Sequence, residues 1–138
     1  MRLTSRMAAL ALIVSAILLS DAATAVAEDC PAKSAEMEDI IDAIKAAPGC
    51  DAAMKVFGAC EFGASGDVQL GAAVEKICEA NFLPRLKTAQ RRAYQREMGV
   101  CDRKYRNQSG TMSLSFTAFC RAEVAQRYAR KPENKTRK

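Results

Sequence analysis

The sequence predicts an all-α fold, a small disulfide-stapled bundle of four to five helices ending in a long helical hairpin. Three observations predict it. Apolar residues recur at the i, i+3, i+4, i+7 spacing of a helix face, and no run of alternating β-branched residues appears. All six cysteines follow a leader that directs the chain to an oxidising space.

The leader comes first. Arg2 and Arg6 precede the apolar run Ala8–Leu19, and small residues then lead to Ala25 and Ala27. This is the layout of a secretory signal peptide over residues 1–27, with cleavage expected after Ala27. The twelve-residue run rises about 18 Å as a helix, short of the roughly 30 Å hydrocarbon core of a bilayer, so no membrane-spanning segment is expected after cleavage. Ala27, Glu28 and Asp29 before Cys30 do not suit lipid attachment. The expectation is a periplasmic or secreted protein, with residues 28–131 one disulfide-bonded helical domain and residues 132–138 a disordered basic tail.

In the first helix, Ser34 is the expected N-cap, with Met37, Ile40, Ile41 and Ile44 on one face and Pro48-Gly49 as the stop. A second helix fits Asp51 to about Ala59, with Ala52, Met54, Val56 and Phe57 as packing residues. The stretch EFGASGD, Glu61 to Asp67, reads as a loop, and Asp67 is expected to cap a third helix from Val68 to about Ala80. Asn81 and Pro84 then introduce the longest helix, running to about Arg106, whose apolar stripe is Leu86, Ala89, Ala93, Tyr94, Val100, Cys101 and Tyr105. Asn107 to Gly110 breaks it. The last helix spans Ser113 to about Lys131, with Phe116, Cys120, Val124 and Tyr128 four residues apart.

These helices restrict the disulfide pairing, because bridged Cα atoms must approach within about 7 Å. The first helix holds Cys30 about 20 Å from Cys50, and the second holds Cys50 about 15 Å from Cys60. If the first three helices are antiparallel neighbours, Cys30 lies level with Cys60 and Cys50 with Cys78. Cys101 and Cys120 each lie about 10 Å from the hairpin turn and face each other across it.

The chain has no histidine. That excludes Ser-His-Asp and Cys-His catalysis and removes the commonest ligand for zinc, haem and copper, while disulfide-bonded cysteines offer no thiolates. The Gly63–Gly66 stretch lacks the spacing of a nucleophile elbow, and no phosphate-cradling loop appears. Glu36, Glu38, Asp39 and Asp42 read as a solvated helix face. No catalytic residue, cofactor or metal is expected.

Charge is segregated along the chain. Glu28 to Pro84 carries four lysines and eleven acids, whereas Arg85 to Lys138 carries fifteen basic residues and four acids. Either the two halves attract each other within one fold, or the basic half forms a surface for an anionic partner. Export favours an anionic lipid or glycan for that role, and no nucleic acid is expected.

The segment Leu86–Arg130 places Ala89-Gln90 on a long helix, Gln90 eleven residues before Cys101, then a Ser109-Gly110-Thr111 turn, Cys120 and a basic helix. It resembles the C-terminal hairpin of the LprI-type lysozyme-inhibitor domain of exported bacterial proteins. Ala93 and Glu97 stand where that family has Trp and Arg. The resemblance implies a non-enzymatic envelope protein that blocks a basic cell-wall hydrolase through acidic groups such as Glu61 and Asp67 beside a mobile loop. The functional expectation is thus an exported interaction protein of the cell envelope, with lysozyme inhibition its sharpest form. One alternative is a helical module binding anionic lipid or envelope polymer through Arg91, Arg92 and Arg96. Another is a small carrier of apolar ligands.

Overall fold

A computed structural model describes residues 29–131, so the expected signal peptide and the expected disordered tail lie outside the described residues. Five α-helices and no strand occur among them: α1 Met37–Ala46, α2 Cys50–Cys60, α3 Asp67–Phe82, α4 Thr88–Lys104 and α5 Met112–Ala129. A 3-10 turn, Leu83–Arg85, joins α3 to α4.

The helix starts follow local hydrogen bonding. The Ser34 hydroxyl accepts the Glu36 N–H at 3.1 Å and donates to Asp39 at 2.6 Å, so it organises the approach to α1 while Glu36 is the N-cap residue. Helix α3 starts on Asp67 itself and runs on through Asn81, later than its expected end. Pro84 therefore lies in the 3-10 turn rather than opening α4, where its missing N–H suits the tight geometry. Helix α4 begins at Thr88, and the Gln90 side chain turns back to accept the Lys87 N–H at 2.9 Å. At 17 residues it is one shorter than α5, contrary to expectation.

A central pair, α3 and α5, makes the most extensive packing in the molecule. Asp67 meets Ser115, Gly71 meets Ala118, and Glu75 meets Arg121. Phe82 lies against Tyr128. The partners advance together along the sequence, so the two helices are parallel. Close approach explains their composition: a Cβ on Gly71 would stand 3.0 Å from that of Ala118. Ala118, Ala122 and Ala125 form the buried strip of α5 facing this contact.

The other helices cover this pair from two sides. Helices α1 and α2 pack on each other and on α3. Phe57 of α2 stacks on Phe119 of α5, with centroids 4.0 Å apart. Helix α4 lies antiparallel to α5, where Phe82, Tyr94 and Tyr128 form an aromatic trio. The buried positions of α4 are Tyr94, Met98 and Cys101, whereas Val100, expected in the stripe, is 52% exposed. On α5, Val124 and Tyr128 are buried as expected, but Phe116 is 43% exposed. Phe116 lies beside Tyr105 at the turn end of the hairpin, where α4 has already ended. Ala53 rather than Ala52 takes the buried place on α2.

Three disulfides fasten these helices, joining Cys30 to Cys60, Cys50 to Cys78 and Cys101 to Cys120, with Cα separations of 4.8, 4.6 and 5.6 Å. This is the pairing expected from the helices acting as spacers. No helix among the described residues is long and apolar enough to cross a membrane.

Candidate functional site

The acids named in the sequence separate on folding. Glu61 is exposed at the start of the loop that follows α2. Asp67 is fully buried: one carboxylate oxygen accepts the Phe62 N–H at 2.8 Å, and the other accepts the Gly63 N–H at 2.9 Å and the Ser115 hydroxyl at 2.6 Å. Both oxygens have donors, so its burial is compensated, and no partner can reach it. The expectation that Asp67 contributes to partner binding is therefore corrected, as is the expectation that it caps α3. It ties the 61–66 loop to the start of α5.

The arginines divide into paired and unpaired sets. On α5, Arg121 donates through Nε and Nη2 to the two oxygens of Glu75 and through Nη1 to both oxygens of Asp102, at 2.9–3.1 Å. Arg127 pairs with Glu97, which also accepts the Tyr128 hydroxyl at 2.6 Å. Arg130 pairs with Asp51 at 2.7 Å, alongside Gln126. The Arg121 guanidinium is held charged well above its ordinary range, chiefly by its hydrogen bonds to Glu75. Burial pushes Glu75 up even so, and it pushes Tyr128 up to about 12 with help from Glu97.

Helix α4 carries the contrasting set. Arg91 donates to the Leu83 carbonyl at 2.9 Å and so closes the end of the 3-10 turn. Arg92, Arg96 and Arg103 lie opposite the buried Tyr94, Met98 and Cys101 by helical spacing. All three are exposed, and none forms an ion pair among the described residues. They border an open trough along α4 floored by Gly99 and Val100. Of the three basic residues singled out from sequence, the structure leaves Arg92 and Arg96 free on this face and gives Arg91 a local role. Arg103 is the member that sequence reading missed, although its place eleven residues after Arg92 puts it on the same helical line.

A second cleft, of about 300 Å³, is lined in part by Glu79, Tyr94, Asp102 and Arg121. The Tyr94 hydroxyl donates to Glu79 at 2.7 Å, and Asp102 is taken by Arg121. Burial and the neighbouring Glu79 hold the Tyr94 hydroxyl far above its ordinary range, which keeps it a donor. The lining groups satisfy one another, and their polarity does not favour an apolar occupant. Among the described residues, no group of three or more Cys, Asp or Glu is placed to hold a metal ion.

No protein-family model, no curated protein and no solved structure matches this chain.

Proposed function

We propose that this is an exported, non-enzymatic interaction protein whose working surface is the outer face of α4, and that it docks on an anionic component of the cell envelope, lipid or polymer. The observation that carries this reading is the stripe of Arg92, Arg96 and Arg103, three exposed cations with no acidic partner among the described residues. The basic residues of α5 support it by contrast, because Arg121, Arg127 and Arg130 serve attraction within the fold. Inhibition of a basic hydrolase finds less support, since burial of Asp67 removes one of its two named acids.

Retention on an anionic matrix tests the reading. The oxidised protein is expected to be held at low salt and released as salt screens the contacts, with a Debye length of about 10 Å at 0.1 M. R92E/R96E is expected to lower affinity at least about tenfold, at roughly 1 kcal/mol per charge near an anionic surface. Its thermal unfolding should stay unchanged, because neither side chain holds the fold together. Equal retention of the variant would overturn the proposal.

A further inference from the structure

Among the described residues, five of the six exposed large hydrophobic side chains gather at one end of the bundle. Met112, Leu114 and Phe116 form the first turns of α5, and Phe62 and Val68 flank the parallel start of α3. The Asp67–Ser115 hydrogen bond fixes these two starts side by side. The C-terminus of α4 reaches the same end because Cys101 is bonded to Cys120 and the Tyr105 ring lies 5.6 Å from that of Phe116. Gly110, with φ of 92°, makes the turn between them.

The rim of this apolar end is cationic on the hairpin side. Arg103, Lys104 and Arg106 are exposed, and Lys104 stands 5.0 Å from the Tyr105 ring centroid. No acid occurs from Arg103 through Ala122. Asp102 just before this stretch is committed to Arg121, and Glu123 just after it lies about 10 Å down α5 from Phe116, where its charge acts on Lys104. The remaining acids near this end, Glu61 and those at the start of α1, belong to the other flank.

We propose that the α4–α5 tip is a docking element for an anionic lipid bilayer. Met112, Leu114 and Phe116 enter the boundary between headgroups and acyl chains, Tyr105 sits at headgroup level, and Arg103, Lys104 and Arg106 meet lipid phosphates. This rests on the anionic-partner reading and names its source. A hydrated polyanion satisfies the arginines but gives nothing to an exposed Phe and Met, whereas a bilayer rewards both. A disulfide and a buried carboxylate brace the helices of the tip before binding, which limits the conformational freedom lost on docking.

The sequence contains no tryptophan, so Phe116→Trp supplies a unique reporter. The protein is taken oxidised from the extracytoplasmic fraction. Its N-terminus is read by mass spectrometry, so that binding through the Ala8–Leu19 run is excluded. With phosphatidylcholine–phosphatidylglycerol vesicles the Trp emission is expected to shift to the blue; with phosphatidylcholine alone or with dextran sulfate it is expected to stay put. M112S/F116S is expected to lose vesicle co-sedimentation by at least about tenfold while keeping its retention on dextran sulfate. Both residues are more than 40% exposed, and an unchanged circular-dichroism melt confirms the fold. No blue shift on anionic vesicles, full vesicle binding by M112S/F116S, or equal binding to neutral vesicles would each overturn bilayer docking. If dextran sulfate still retains the protein in that case, the anionic-partner reading stands. Loss of binding to both surfaces would sink the two together.

Discussion

At the scale of single residues, Asp67 shows where sequence reading reaches its limit. An Asp after a Ser-Gly turn and before an apolar helix is a good N-cap candidate, because short acidic side chains accept the free N–H groups there. The structure gives it different donors, two from the loop behind it and one from Ser115, far away in the sequence. No local pattern signals that third donor. Asp67→Ala leaves two part-buried N–H groups and the buried Ser115 hydroxyl without their acceptor, and is expected to cost about 3 kcal/mol by urea unfolding. Ser115→Ala removes one donor of three and is expected to cost about 1 kcal/mol. Equal losses in the two variants would mean that the loop is held by something other than the carboxylate. Phe116 was misplaced for a related reason: its four-residue spacing from Cys120 is that of a packed row, yet the row runs past the end of α4 and loses its cover.

At the scale of elements, the helices were largely legible and their partners were not. The 3.6-residue rhythm of Ile40 and Ile44, and the stop at Pro48-Gly49, define α1 from sequence alone. The disulfides were legible too, since a helix between two cysteines is a rigid spacer of known length. The parallel contact between α3 and α5 was hidden because its signature is smallness: Gly71, Ala118, Ala122 and Ala125 carry no amphipathic signal. Small residues there set the distance between the helix axes. Ala118→Leu is expected to force them apart at a cost of about 2 kcal/mol. Gly58, exposed on α2 with nothing within 4 Å of a Cβ, gives the opposite result. Gly58→Ala is expected to stabilise by about 0.5–1 kcal/mol through helix propensity. Thermal unfolding of the two variants checks both signs.

At the scale of the whole molecule, ion pairs fasten both flanks to α5, Asp51 of α2 to Arg130 and Glu97 of α4 to Arg127, and Glu97 also accepts the Tyr128 hydroxyl. The Arg130 hydrogen bond holds the Asp51 carboxyl below its ordinary range, and the Tyr128 hydroxyl and Arg127 do the same for Glu97. Acids lowered by folding contribute stability that is complete above the ordinary carboxylate pKa, about 4, and is lost as pH falls through the lowered values. Glu75, raised by burial, works in the opposite sense and offsets part of the loss. Unfolding measured between about pH 3 and 7 is expected to show stability falling towards acid, with D51N/E97Q giving a shallower slope; an unchanged slope would assign the acid loss to other groups. Charge segregation, read from sequence as either internal attraction or a docking surface, divides by helix: α5 is drawn inward and α4 is left facing out. The two N-terminal disulfides interlace, with Cys50 lying between Cys30 and Cys60 along the chain and bonded beyond them to Cys78. If the chain enters an oxidising compartment amino end first, as its leader predicts, Cys30 encounters Cys50 before either final partner has arrived. A ten-residue helix, α1, which rises about 15 Å, lies between those two cysteines. How early that helix forms then decides whether oxidation goes straight to the finished connectivity or detours through a bond that thiol exchange must later undo.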